Sequence, residues 1–331
     1  MLLRLIQHLK KATSTQVAFL LLSPLFISAC SDTEKHYALI TNQLADSVSV
    51  IDIPLGEVIK EIPVGRGPAG ISVSADNKLA FVSNPDDQSI SVIDLTTLSQ
   101  TKQIKAGPGP VGIIANEKGN VVYVADWYEH QIHVIDAESG ETQTRIPVGH
   151  SPAGMVLDEV RQRLYVANRD DNTLSIIDLG SLQVVDTVLT GKAPFGLALT
   201  PDGTRVFSVN VQSSDVTVID TLRAEVITTI SVGEWPYCAV VSPDGGKLYV
   251  TNQDESTVSV IDLSAYQVTN TIPVADTPEG IDITQDGHQL LVANWGNGTV
   301  SVIDALTEKP LRTIETAKGS RAFGDFIANF D

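Results

Sequence analysis

The sequence predicts an all-β fold: a seven-bladed β-propeller with four antiparallel strands in each blade. Three observations lead to this prediction. A motif that ends in Asp recurs at a constant interval of 42 residues, the segments around it are short β-branched runs bounded by turn residues, and seven copies fill most of the 331-residue chain. A period of about 40–45 residues with four short strands per unit is typical of propeller blades.

The Asp is the last residue of a run such as VSVID or LSIID. The seven copies are Asp52, Asp94, Asp136, Asp178, Asp220, Asp262 and Asp304. Because every blade carries this residue, we interpret it as structural, with the carboxylate accepting backbone N–H groups in the turn that follows. The residues ten positions earlier are interpreted in the same way: Asn42, Asn84, Asp126, Asn168, Asn210, Asn252 and Asn294.

Each unit supplies an inner strand A, strands B and C, and an outer strand D. In the second blade we expect these strands over residues 70–74, 79–83, 90–93 and 100–104. One blade cannot bury both of its faces alone, so blades must stack, and closing the ring removes the exposed ends. Residues 36–41 form a strand B without a preceding strand A, whereas residues 319–328 form a strand A without successors. The sequence therefore predicts that the two chain ends share one blade.

Further repeat motifs have a family counterpart. KLYVTN over residues 247–252 and RLYVAN over residues 163–168 recur with IPVG-like segments and with Pro-x-Gly segments such as the one at Pro68. Together they resemble the YVTN family of β-propeller repeats, over about residues 37–330. The resemblance implies the propeller fold and a surface or periplasmic location, and it specifies the function poorly.

Residues 1–29 have the features of a secretory leader. Arg4, Lys10 and Lys11 precede an apolar stretch over residues 17–29 that is short for a membrane span. The leader ends in Ile-Ser-Ala before Cys30, which resembles the bacterial lipobox, and ordinary cleavage beside an incidental Cys remains the alternative.

The resemblance to a lipobox implies that Cys30 carries lipid, that residues 30–36 form a short tether, and that residues 37–330 are one propeller domain. The protein is then expected in the cell envelope, anchored to a membrane. Ser31, in place of the Asp that commonly retains bacterial lipoproteins at the inner membrane, favours the periplasmic side or the surface of the outer membrane if the cell has two membranes.

Charge and motif content exclude several functions. The net charge is −18, and removal of the leader leaves 19 basic against 40 acidic residues, or about −21, which argues against nucleic-acid binding. CxxC, HExxH and GxSxG motifs are missing, so we predict no cofactor and no catalytic residue. His130, His133 and His150 lie near one loop, but sequence spacing does not make them converge, and we predict no metal site.

Residues that break the repeat are the better functional candidates. Strand direction alternates, so B–C loops and D–A connectors share one face of the ring, which we call the B–C/D–A face. All three tryptophans fall on it, as do connector residues of mixed charge that differ between blades. The candidate binding residues are Trp127, Trp235, Trp295, His150, Lys192, Phe195, Tyr237, Glu279 and Arg321. Loop variability without function is the alternative explanation.

Cys238 replaces the Gly of the Pro-x-Gly motif, and we interpret it as a small buried residue rather than a reactive thiol. The sequence favours a non-catalytic, lipid-anchored module that binds a protein, glycan or small ligand on the B–C/D–A face. The alternative is an enzyme or accessory subunit acting at the central funnel. Propellers with similar repeats include lactone-hydrolysing enzymes and partners of periplasmic quinone-cofactor dehydrogenases, so enzymatic activity remains open.

Overall fold

The structure is a computed structural model that describes residues 35–330. The predicted leader, Cys30 and most of the tether lie outside the described residues. Residues 35–330 contain 28 strands, which form seven separate four-stranded antiparallel sheets, and this confirms the predicted seven-bladed propeller. No helix in this range is both long and apolar enough to cross a membrane.

The strands alternate with short turns along the whole described range, and a single 3₁₀-helix, Pro85–Asp87, lies between β5 and β6. In chain order the strands are β1 Lys35–Asn42, β2 Ser47–Asp52, β3 Glu57–Pro63, β4 Ile71–Val73, β5 Leu79–Asn84, β6 Ser89–Asp94, β7 Ser99–Lys105, β8 Pro110–Ala115, β9 Val121–Asp126, β10 Gln131–Asp136, β11 Thr142–Pro147, β12 Pro152–Asp158, β13 Arg163–Asn168, β14 Thr173–Asp178, β15 Gln183–Leu189, β16 Pro194–Leu199, β17 Arg205–Asn210, β18 Asp215–Asp220, β19 Glu225–Ser231, β20 Pro236–Val241, β21 Lys247–Asn252, β22 Thr257–Asp262, β23 Gln267–Pro273, β24 Pro278–Ile283, β25 Gln289–Asn294, β26 Thr299–Asp304, β27 Lys309–Glu315 and β28 Ile327–Phe330.

Six blades are built from consecutive strands. Blade 2 consists of β4–β7, and each later blade takes the next four strands up to β24–β27 of blade 7. The B and C strands are buried almost throughout, whereas the outer D strands are mostly exposed. This difference follows from the sequence, because the B and C strands carry mostly apolar residues on both faces and pack between neighbouring blades.

Blade 1 joins the two ends of the chain, as the sequence predicts. Its strand order is β28-β1-β2-β3, so the last of the described strands is the inner strand of the first blade. Tyr37 pairs with Ala328 and Ala38 pairs with Ile327 in the antiparallel register. The ring therefore closes through backbone hydrogen bonds between residues about 290 positions apart in the sequence.

The closing strand is less regular than the continuous strand predicted over residues 319–328. Ser320 forms an isolated bridge with Asn42, and regular pairing with β1 resumes only at Ile327. Between them, the Phe323 carbonyl accepts a hydrogen bond from the Ile71 backbone N–H at 2.8 Å. The chain thus leaves β1 and pairs with β4 of the next blade, a detour that was not predicted from the sequence although Gly324, which has a φ of 121°, lies within it.

The repeated Asp residues act as turn caps, which confirms their structural interpretation. In each of the seven C–D turns the Asp carboxylate accepts a backbone N–H from two or three residues later, as Thr97 donates to Asp94 at 2.8 Å and Ser139 to Asp136 at 2.7 Å. The hydrogen bond from the Thr97 backbone N–H is the main reason why the pKa of the Asp94 carboxyl is lowered.

The Pro-x-Gly motif sets how closely neighbouring blades approach at the centre. A Cβ added to Gly112 would lie 1.9 Å from the carbonyl oxygen of Ala153 in the next blade, and one added to Gly154 would lie 2.3 Å from that of Phe195. Any side chain at these positions must move backbone of the adjacent blade. Glycine is therefore required by packing between inner strands, and not by a turn.

We expect Gly112→Ala to destabilise the propeller by about 1–3 kcal/mol, the cost typical of overpacking. Gly180→Ala is the matched control, since its added Cβ would meet only Asp178 Oδ1 at 3.4 Å. Urea unfolding followed by circular dichroism measures both. Equal stability of the two variants would show that the close approach at Gly112 is not a packing constraint.

Candidate functional site on the B–C/D–A face

A depression opens on the B–C/D–A face beside the ring axis. Its volume is about 240 Å³, and its walls come from both kinds of loop, as expected for a shared face. The residues that line it are Gln43, Pro85, Trp127 and Tyr128 from B–C loops and Ala69, Gly109, Val111, Phe195 and Arg321 from connectors and inner strands. We call it the aromatic depression.

Aromatic rings fill the centre of the propeller below this depression. The rings of Phe195 and Tyr237 stack with centroids 4.3 Å apart, and Phe323 lies 4.9 Å from Phe195. All three side chains are less than 9% exposed. Trp127 approaches Phe195 from the side, at 6.4 Å and an interplanar angle of 51°. Such tilted and stacked pairs add to the stability gained from burial and make the floor of the depression rigid.

A buried ion pair lies beside the aromatic rings. The Arg321 guanidinium Nε lies 2.9 Å from Glu279 Oε2, and both side chains are largely buried. Arg321 also donates a hydrogen bond to the Tyr237 hydroxyl, and the Gln253 amide donates to Glu279 Oε1 at 3.1 Å. Burial raises the pKa of the Glu279 carboxyl, while the Arg321 charge and the Gln253 hydrogen bond act in the opposite direction.

Arg321 is expected to stabilise the fold chiefly by pairing with Glu279. Replacement by Met should destabilise by about 3–5 kcal/mol, because it leaves a buried carboxylate without its partner. The double variant Arg321→Met/Glu279→Gln removes both charges and should regain most of that loss. Urea unfolding of the two variants tests this, and a double variant no more stable than the single one would assign the loss to shape instead of charge.

The structure brings five of the sequence-predicted residues together: Trp127, Phe195, Tyr237, Glu279 and Arg321. Of these, only Trp127, Phe195 and Arg321 line the aromatic depression itself. Tyr237 contacts this group by stacking on Phe195, and Glu279 contacts it through the ion pair with Arg321.

The other four predicted residues lie elsewhere on the same face. Trp235 is 43% exposed at a connector position with positive φ, and the Trp295 indole N–H donates to Gln43 Oε1 at 2.9 Å. His150 contacts Asp171 Oδ1 at 2.8 Å, and Lys192 is exposed. None of the four lines the aromatic depression, so the tryptophans share a face without forming a single patch.

Sequence reasoning missed several residues of this region. Tyr128 is 69% exposed beside Trp127, and the Arg169 guanidinium lies 5.8 Å from the Trp127 ring centroid in a cation–π contact. Phe323 enters the centre only because the closing strand is irregular. Tyr128 could have been found as the neighbour of a tryptophan in a loop, whereas Arg169 and Phe323 depend on which blades meet.

Two carboxyl groups below the rings were also missed. Asp282 Oδ2 accepts backbone N–H bonds from Phe326 at 2.9 Å and Ile327 at 3.0 Å, which holds the closing strand in place. Burial and then the charge of Asp325 raise the pKa of Asp282. Cys238 and Asp325 both line a second cavity, between the inner strands. Burial raises the pKa of the Cys238 thiol, which supports a packing role.

Comparison with known proteins gives matches over most of the chain. The family model described as YNCE-like beta-propeller matches residues 161–255 and 244–326, which together make up about half of the chain. The model of the cytochrome D1 heme domain matches residues 31–159. A comparison with curated protein sequences found no match.

Solved structures share the fold at low sequence identity. Hydrazine synthase of Kuenenia stuttgartiensis is 20% identical, with a TM-score of 0.71 over 76% of this chain and 88% of that one. A functionally unknown protein from Desulfotomaculum acetoxidans DSM 771 is 15% identical, with a TM-score of 0.78 over 89% and 98% of the two chains. Dihydro-heme d1 dehydrogenase NirN, solved in complex with DHE, is 14% identical, with a TM-score of 0.67 over 85% and 73%.

Proposed function

The chain belongs to the YNCE-like beta-propeller family, and from that premise we propose that it is a binding module that docks a partner protein on its B–C/D–A face, at the aromatic depression. The observation that carries the proposal is the composition of the depression, where Trp127, Tyr128 and Phe195 surround an opening next to the axis. Trp, Tyr and Arg are the residue types that dominate the energy of protein interfaces.

The size of the depression favours a side chain of a protein as its occupant. At about 240 Å³ it is smaller than the ~300–1,000 Å³ pockets that enclose small ligands. An aromatic or aliphatic anchor of a partner would fill it, and exposed groups around it extend the contact. Tyr128 and Leu44 are 69% and 62% exposed on the B–C loops of blades 3 and 1.

The lining also favours binding over catalysis at this position. The nine residues that line the depression include no carboxylate, imidazole, thiol or serine hydroxyl, so they supply few groups for acid–base or nucleophilic chemistry. The net charge of −18 favours a partner with a basic rim. A lipid on Cys30, expected from the sequence, would hold this disc at the membrane of the cell envelope.

Site-specific photocrosslinking tests the docking surface. A photoreactive phenylalanine analogue replaces Tyr128 in one variant and Val160, which is 92% exposed in an A–B turn on the other face, in the control. We expect covalent adducts with envelope proteins of the native cell at position 128 and none at position 160. A further Trp127→Ala change should reduce the adduct at position 128 at least tenfold.

Adducts of equal yield at positions 128 and 160, or at position 160 alone, would contradict docking on the B–C/D–A face. An adduct at position 128 that Trp127→Ala leaves unchanged would place the contact on the loop but outside the depression.

Binding of a tetrapyrrole is a second candidate function. The observation that favours it is the cytochrome D1 heme domain match over residues 31–159, which include Gln43, Trp127 and Tyr128 of the depression. Because the volume of the depression is only about 240 Å³, it would bury only part of a tetrapyrrole. Titration of the purified protein with hemin separates the two candidates: a saturable change in visible absorption that Trp127→Ala abolishes would favour the tetrapyrrole.

A further inference from the structure

Blade 3 departs from the repeat at a buried polar pair. In the six other blades an Asn at the end of strand B donates its amide N–H to a Ser or Thr hydroxyl in strand C. The pairs, at 2.8–3.0 Å, are Asn42–Ser49, Asn84–Ser91, Asn168–Ser175, Asn210–Thr217, Asn252–Ser259 and Asn294–Ser301. Blade 3 has Asp126 and His133 at these two positions. Both members of a neutral pair are thus replaced by residues whose side chains can bind metal ions.

A second departure removes the usual backbone partner of a carboxylate in the same blade. In four other blades a B–C loop side chain accepts the backbone N–H of a D–A connector residue. The donors and acceptors are Arg66 and Asp87, His150 and Asp171, Lys192 and Ser213, and Asp276 and Asn297. In blade 3 the connector residue is Pro108, which has no N–H, and the loop residue is Glu129. Glu129 therefore lacks the donor that its counterparts use.

These departures meet at one point. His133 Nε2 lies 3.4 Å from Glu129 Oε2 and 3.7 Å from Asp126 Oδ2. The three ligand atoms all lie within 4.8 Å of one another. Asp126 and His133 are 1% and 2% exposed, whereas the Glu129 side chain is 45% exposed and gives the cluster an open side.

One oxygen of the buried carboxylate has no hydrogen bond. Asp126 Oδ1 accepts the backbone N–H groups of Tyr128 and Glu129, both at 3.0 Å, but Oδ2 is buried without a hydrogen-bond partner. Gly107 makes room for it, because a Cβ there would lie 1.7 Å from Oδ2. A buried anionic oxygen without a donor is costly, and a cation would remove that cost.

We propose that Asp126, Glu129 and His133 form a binding site for a divalent transition-metal ion, with Zn²⁺ as the best match. One imidazole and two carboxylates form a ligand set that Zn²⁺ accepts, leaving a fourth position for water or a partner's group on the open side. Metal–ligand bonds of about 2.0–2.2 Å in a tetrahedral site place ligand atoms roughly 3.3–3.6 Å apart. The His133–Glu129 distance of 3.4 Å already fits, and the His133–Asp126 distance of 3.7 Å nearly does.

Gln131 is the neighbour that a metal ion would displace. Its amide nitrogen lies 3.2 Å from His133 Nε2 and also contacts Glu129 Oε2. The Gln131 residue is only half-buried, so we expect its side chain to turn toward solvent when an ion binds. The site goes beyond the docking function, although Trp127 and Tyr128 lie in the same loop, between two of the ligands.

Metal binding to the purified full chain, prepared without a histidine tag, tests the proposal. Isothermal titration with Zn²⁺ should show one ion per chain, and Co²⁺ should give the visible absorption of a tetrahedral complex. The key variant is Asp126→Asn/His133→Ser, which restores the pair found in the six other blades and should therefore fold. We expect it to weaken Zn²⁺ binding by at least about 100-fold, because loss of a single outer-shell partner of a ligand already costs about 10–100-fold and this variant removes two ligands.

The control variant is His130→Ala/His150→Ala, which removes two nearby histidines whose rings are 4.6 Å apart. It should bind Zn²⁺ as the wild type does. Absence of saturable binding by the wild type would overturn the proposal, as would equal affinity of the wild type and Asp126→Asn/His133→Ser. Loss of binding only in the His130→Ala/His150→Ala variant would assign the metal to the other histidines and also overturn it.

Discussion

Pairing of the last strand with the first is the interaction on which the rest of the structure depends. Every blade buries its two faces against neighbours, so an open row of seven blades would expose one face at each end. The β28–β1 pairing converts the row into a ring, with Ala328 opposite Tyr37. The aromatic depression also depends on it, because Arg321 and Phe323 reach the axis only when the C-terminal segment docks beside blade 1.

Much of the fold was predictable because its cause is local and repeated. The constant interval identifies the blades, and Asp94 caps its turn through contacts with residues two or three positions away. Closure was also predictable, since one end of the chain lacks a strand that the other supplies. The detour of the closing strand was not predictable in this way. Phe323 and Asp325 leave β1 and pair with β4, and the strand with which they pair is decided by packing between blades.

The candidate site was predictable only in part. Residues that depart from the repeat were chosen as functional candidates. This rule selected Trp127, Phe195 and Arg321, which line the depression. The same rule placed Trp235 and Trp295 on the B–C/D–A face, but it could not tell which blades turn their side chains toward the axis. Asp126 was set aside with the repeated Asn residues, although its change to Asp together with His133 seven residues later was visible in the sequence.

Amide hydrogen exchange of the intact protein tests closure most directly. If the β28–β1 pairing makes the ring one cooperative unit, peptides covering residues 35–42 and 319–330 should have the same free energy of opening as the inner strands of blades 2–7. Exchange of these two segments through a separate, lower-energy opening, with the other blades still protected, would contradict the account. Blade 1 would then be an appended sheet and not the closure of the ring.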